Sequence, residues 1–146
     1  EQIGTPADLY DRPDTRFVAD FLGDTNFVEG TLIETAEGAA RMRTAGGTDI
    51  AGVLADASLG VGAPVVAGIR PEKIRINPDN ASLANRCKAA IREVVYSGDS
   101  IRYQVAGPDQ VGLLVTPPNR TDVAQHPADA TVDLAWDRLE TRIFPG

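Results

Sequence analysis

The chain alternates apolar and polar positions from about residue 26 to its end. Ile101, Tyr103 and Val105 alternate with Arg102 and Gln104, and Val132, Leu134 and Trp136 alternate with Asp133 and Ala135. A period of two buries one face of a strand and leaves the other wet. The pattern predicts strands over residues 27–34, 40–44, 64–70, 73–76, 86–96, 101–106, 112–116 and 131–136, set apart by Gly-rich punctuation. Ser97-Gly98-Asp99 carries the turn chemistry of a hairpin between two of these strands, and Ala106-Gly107-Pro108-Asp109 reads as a second turn. Strands this short and frequent predict a mainly β fold, a small barrel or sandwich.

The first 25 residues follow a different rule. Thr5 suits an N-cap, Pro6 the first helical position and Asp8 the first turn, with Pro13 ending that short helix. A second helix is expected over residues 15–22, with Phe17, Val18, Phe21 and Leu22 on one face, Arg16 and Asp20 on the other, and Gly23 as its stop. Helices this short are marginal alone, so docking on the β region or on a preceding domain is expected.

An internal echo runs through the β region. Residues 26–34 resemble 85–93 in their apolar alternation, and 63–78 resemble 130–145, sharing Val65/Val132, Arg75/Arg142, Ile76/Ile143 and Pro78/Pro145. Two half-repeats, 26–78 and 85–145, would produce this echo; chance alignment of β-patterned segments is the competing explanation.

Composition narrows the function classes. Of 146 residues 42% are hydrophobic, enough for a core, but aromatics are scarce, so Val, Ile, Leu and Ala supply the packing. Acidic residues outnumber basic ones 21 to 14, a net charge of -7 that repels a phosphate backbone. An oligonucleotide-binding barrel also wants stacking rings in a basic groove, and this chain offers little beyond Tyr10, Tyr96 and Tyr103, so no nucleic-acid partner is expected. The apolar run at 58–69 is too short and too interrupted by Gly60, Gly62, Pro64 and Gly68 to span a bilayer. Opening on Glu1-Gln2-Ile3-Gly4 instead of methionine, the chain reads as the continuation of something longer.

Candidate chemistry is sparse. Neither a G-x-x-x-x-G-K-[ST] phosphate loop nor a G-x-G-x-x-G after a strand occurs. Cys87 is the only cysteine, which excludes an internal disulfide and a multi-cysteine metal site, and its strand phase with Ala89 and Ile91 makes it a small buried residue. His126, the only histidine, falls in a proline-flanked polar stretch and is expected to be solvated. Asp79, Asp99, Asp109 and Asp122 fit turn geometry better than acid–base work. No catalytic, cofactor-binding or metal residue is predicted, so the chain alone is not expected to be an enzyme. In Ile69-Arg70-Pro71-Glu72-Lys73-Ile74, Pro71 ends a strand and leaves Arg70 and Glu72 on a turn. They are either surface charges on a strand-ending turn or contacts to a partner domain.

Residues 2–13 followed by Arg16-Phe-Val-Ala-Asp-Phe-Leu-Gly23 resemble the end of the nucleotide-binding domain of ABC importer ATPases. Residues 24–30 resemble its junction with a TOBE (transport-associated OB) domain. Ile69-Arg-Pro-Glu72, Val94-Val-Tyr-Ser-Gly98 and Leu134-Ala-Trp-Asp137 are similar to that domain's I/V-R-P-E, its V-x-Y-x-G hairpin and its closing strand. Phe21-Leu-Gly-Asp-Thr-Asn-Phe27 is most similar to the spermidine/putrescine importers, and sugar and ferric-iron importers share much of the pattern.

The resemblance implies an OB-like barrel or sandwich over 26–146, preceded at 1–25 by a helical remnant of the nucleotide-binding domain. ATP and Mg would belong to the parent subunit, whose Walker and signature motifs lie upstream. It implies a regulatory and dimerisation domain of a polyamine importer, with Arg70 and Glu72 as candidate interface residues. The implied partners are the nucleotide-binding domain, a second copy and a membrane permease on the cytoplasmic side of the inner membrane. The alternative is a small-ligand or oxyanion-sensing domain of a sugar- or iron-type importer, since molybdate-type relatives bind an oxyanion in this region.

Overall fold

The computed structural model describes residues 24–78, 83–98, 100–117 and 126–146. The two expected helices, and the turns assigned to Asp79, Asp99 and Asp122, lie outside the described residues.

The described residues form ten strands: β1 (Asn26–Ala36), β2 (Ala39–Arg43), β3 (Asp49–Leu54), β4 (Pro64–Ile69), β5 (Arg75–Ile76), β6 (Asn85–Ser97), β7 (Ser100–Ala106), β8 (Gly112–Val115), β9 (Thr131–Trp136) and β10 (Thr141–Pro145). They make two sheets. One is a closed barrel in the order β1-β2-β3-β10-β4; the other is a five-stranded sheet in the order β5-β9-β6-β7-β8. The fold is mainly β and OB-like, as the alternation and the resemblance implied.

The two sheets share one register scheme. Asn26↔Ile69 and Thr31↔Pro64 between β1 and β4 match Asn85↔Trp136 and Ala90↔Thr131 between β6 and β9. β1 is bulged between Leu32 and Glu34, and β6 between Ile91 and Glu93, the equivalent places. Gly68↔Arg142 between β4 and β10 matches Ala135↔Arg75 between β9 and β5. Each half of the chain thus sends its last strand into the other half's sheet. β10 is long enough to pair with β4 on one side and, in parallel, with β3 on the other, which closes the barrel. β5 has two residues and pairs with β9 alone, so the second sheet stays open.

Three sequence expectations need correction. β3 was not foreseen as a strand. Its Gly52 weakens the strand pattern, but a Cβ there would lie 2.9 Å from the Thr141 carbonyl oxygen and 3.1 Å from Ile143 Cδ1, so this glycine is what lets β10 approach. The closing strand is β10, not the segment around Leu134–Trp136, which is β9 and lies inside the second sheet. The strand expected over 73–76 shrinks to β5, because a 3-10 turn at Pro71–Lys73 occupies its start, with Ile74 N donating to the Pro71 carbonyl.

One continuous core joins both sheets: Val28, Leu32, Met42, Ile50 and Ile143 from the barrel meet Ile91, Tyr103, Leu113, Leu134 and Trp136 from the second sheet. Apolar burial shared across the two lobes gives them no dry boundary along which to part.

Candidate functional site: the seam between the lobes

β1 and β6 each open with an asparagine. Asn26 and Asn85, 6% and 2% exposed, use their amides as one-residue strands. Asn26 Nδ2 donates to the Leu114 carbonyl at 2.8 Å, and Leu114 N donates back to Asn26 Oδ1 at 2.8 Å. Asn85 Nδ2 donates to the Ala51 carbonyl at 2.9 Å, and Ala51 N donates to Asn85 Oδ1 at 2.7 Å. Each amide therefore satisfies a strand of the opposite sheet, β8 or β3, where that strand has no ladder neighbour on that side.

A third tie comes from the 3-10 turn Pro108–Gln110. Asp109 sits at φ 57 in the left-handed region, which short polar side chains tolerate better than most. Its carboxylate accepts from Thr44 Oγ1 at 3.1 Å and from Gly46 N at 3.0 Å, in the β2–β3 turn of the barrel. Thr44, 3% exposed, also accepts from Thr48 N, closing the turn. A Cβ on Gly46 would collide with Asp109 Oδ1, so a larger residue here would push the Asp109 carboxylate off the turn.

Clefts flank Asp109 on both sides. One of about 700 Å³ is lined by Phe27, Glu29, Ile33, Arg43, Asp109 and Val111; the other, of about 640 Å³, by Gly47, Asp49, Arg86, Lys88, Pro108 and Asp109. Arg43 is turned across the rim by Asp49, Nε to Oδ1 at 2.6 Å, and this hydrogen bond, with the added charge attraction, holds the half-buried Asp49 carboxyl below its ordinary range. The first cleft has a mostly apolar floor with charged residues at its rim and the second is mostly polar, surfaces that suit small polar or amphiphilic molecules. Among the described residues no three His, Cys, Asp or Glu side chains are grouped to hold a metal.

Arg70 is half-buried at the end of β4, and Glu72 is exposed in the Pro71–Lys73 turn. Neither lines a cleft described above. The turn itself does reach the seam: the carbonyl of buried Pro71 accepts from Thr116 N at 3.3 Å, beside β8. Asp109 occupies the expected turn, and its bridging role was not foreseen. His126 departs from expectation. It is half-buried, its backbone N donates to Tyr103 Oη at 3.3 Å, and its ring meets the Tyr103 ring edge-on at 5.7 Å. Burial pushes its pKa below the ordinary value. Cys87 is half-buried, and burial first, then the Asp133 charge, pushes its thiol up to about 11. The asparagine clamps were legible only as the shared first letter of the two echoing segments at 26 and 85.

A match to the TOBE domain family spans residues 67–144. Over its whole length the chain is 38% identical to the spermidine/putrescine import ATP-binding protein PotA of Rubrobacter xylanophilus and 34% identical to that of Thermobifida fusca. It spans 38% of the length of each of these relatives. Among solved structures, the molybdate-bound form of the cytoplasmic molybdate-binding protein ModG superposes with a TM-score of 0.65 at 16% identity, over 81% of this chain and 94% of that one. The likeness to ModG concerns the fold. With the family match covering more than half of the residues, the chain belongs to the TOBE domain family.

Proposed function

We propose that the chain is the C-terminal regulatory and dimerisation domain of an ABC importer ATPase subunit that serves polyamine uptake. The observation that carries this reading is full-length similarity to two spermidine/putrescine import ATP-binding proteins of which the chain spans a little over a third. The domain proper runs over 26–146, as two half-repeats of 26–78 and 85–145, and 1–25 is the tail of the nucleotide-binding domain. ATP and Mg bind in the remainder of the subunit, which couples to a membrane permease from the cytoplasmic side. No helix among the described residues is long and apolar enough to cross a membrane. This reading assigns Arg70 and Glu72 to a contact with a partner domain, on a turn whose own bond to the seam is made by the Pro71 carbonyl. Light scattering on the whole subunit with and without residues 24–146 tests the reading. Loss of the dimer on deletion supports it, and an unchanged dimer removes the dimerisation role.

A second reading, a small-ligand sensor, is favoured by the paired clefts at Asp109 and by a fold neighbour whose structure holds molybdate. Calorimetry with spermidine, molybdate and maltose at millimolar concentration tests it. A saturable heat for one of them supports sensing, and no heat for any removes it.

A further inference from the structure

Residues directly opposite on neighbouring strands share a face of the sheet. The registers Glu29↔Val66↔Phe144 and Phe27↔Gly68↔Arg142 therefore place six side-chain positions on the outside of the barrel, against the inward row Val28↔Ala67↔Ile143. An outer wall normally meets water. Val66 is nonetheless 1% exposed and Phe144 0%. Both stand apart from the continuous core that joins the two sheets. The rings crowd around Gly68, where a Cβ would lie 3.2 Å from Phe144 Cε2, 3.5 Å from Phe27 Cε1 and 3.7 Å from Thr25 Cγ2. A second apolar contact, outside the barrel, covers this wall.

The second sheet serves as an internal control. At the equivalent register positions it carries Lys88, Asp133 and Asn77 in place of Glu29, Val66 and Phe144. Those residues make a surface network: Lys88 Nζ lies 2.8 Å from Asp133 Oδ1, and Asp133 N donates to Asn77 Oδ1 at 2.8 Å. The architecture accepts polar residues here, so the apolar pair on the barrel answers to something particular to the barrel side. What distinguishes that side is the arrival of the upstream chain, since Thr25 itself stands beside Gly68. Just before it lies the stripe Phe17, Val18, Phe21 and Leu22. The helix expected at 15–22 would span about 12 Å, the width of two to three strands, and three linking residues reach about 10 Å.

We infer that the outer barrel wall around Val66 and Phe144 is the docking surface for this chain's own residues 15–22, covered by the Phe17–Val18–Phe21–Leu22 stripe. The junction at 23–25 is then a stiff joint, and the barrel moves with whatever precedes residue 15. The inference holds whether the domain dimerises or senses a ligand.

The test is thiol labelling of the 146-residue chain in a Cys87→Ser background, comparing Val66→Cys with Ala57→Cys at an exposed loop position. The expected result is a rate at position 66 about a hundredfold below that at position 57. Adding Phe17→Ser and Phe21→Ser should raise the rate at 66 about tenfold or more, with position 57 and the β-sheet circular dichroism unchanged. Labelling at 66 as fast as at 57 in the intact chain overturns the inference, and so does a slow rate indifferent to the two serines. Should those serines abolish the sheet signal, a diazirine-bearing methionine analogue at position 66 of the otherwise intact chain decides. Cross-links to 15–22 uphold the docking, and cross-links confined elsewhere overturn it.

Discussion

Replacing Asn85 by alanine isolates one of the two amide clamps. Beyond the Val53 and Leu54 pairing with β10, the β3 edge at Ala51 has the Asn85 amide as its hydrogen-bond partner. Asn85→Ala removes two bonds of 2.7 and 2.9 Å and strands the Ala51 N–H and carbonyl together. The longer 3.4 Å approach of Nδ2 to Thr141 Oγ1 adds little. A buried group left unsatisfied costs about 1–3 kcal/mol, but Ala51 is half-buried and water reaches part of the vacated space, so the pair together costs about 2–3 kcal/mol. For a domain of this size that lowers Tm by about 4–12 °C.

Urea unfolding followed through the fluorescence of Trp136, the only tryptophan and 1% exposed, reads the loss directly as a lower midpoint at unchanged slope. Asn26→Ala makes the equivalent lesion at Leu114 and should cost a similar amount. Asn85→Asp should be no milder than alanine, because a carboxylate cannot donate to the Ala51 carbonyl and brings charge into a buried position. A loss below about 0.5 kcal/mol for Asn85→Ala at unchanged slope, the size of an ordinary surface substitution, would refute the clamp argument.

Four further outcomes are expected. Gly46→Ala forces the β2–β3 turn off the Asp109 carboxylate and should cost about 1–3 kcal/mol by urea unfolding, whereas Gly46→Ala in an Asp109→Ala background should cost clearly less. Cys87, with its thiol at about 11 against an ordinary 9.0, carries about a hundredfold less thiolate at pH 8 than a free thiol and should label correspondingly slowly. Its raised value makes the folded state the better proton binder. That contribution is full below pH 9.0 and falls away as pH rises through about 11, so Cys87→Ser should flatten the alkaline decline in stability. Deleting residues 141–146 removes Ile143 and Phe144, both 0% exposed, and opens the barrel. At about 2–5 kcal/mol for each large side chain the loss rivals the whole stability of a small domain, and circular dichroism should show a largely unfolded chain.

The strands that announce themselves in the sequence are those with one wet face. β6, β7 and β9 alternate cleanly because their partners are antiparallel neighbours and their outer sides meet solvent. β3 and β10 were hidden for a common reason. They meet in parallel over only Arg142↔Val53 and Ile143↔Leu54, a pairing between residues some ninety positions apart that no local pattern encodes. The close approach demands Gly52, a residue that locally argues against a strand. The candidate site was legible in fragments. Asp109 was placed in a turn, but its grip on Thr44 and Gly46 joins elements 63 to 65 residues apart and leaves no trace in either segment alone. Arg70 and Glu72 stood out as charges next to a proline, while at the seam it is the buried proline's carbonyl that makes the bond to Thr116.

The reciprocal exchange of β5 and β10 constrains what such a domain does with a signal. Separating the lobes would expose the shared core, unmake both asparagine clamps and pull β10 from between β3 and β4, events that together amount to unfolding. Hinge motion between the lobes is therefore the wrong picture. A molecule bound in either cleft at Asp109 would be held between surfaces that already touch through Thr44 and Gly46. Its binding energy would go into stiffening that contact, since no alternative arrangement of the lobes competes for it. The motion that remains available is of the two lobes together, and if residues 15–22 dock as inferred above, the joint that governs it lies at the barrel's outer wall, where Thr25 stands beside Gly68.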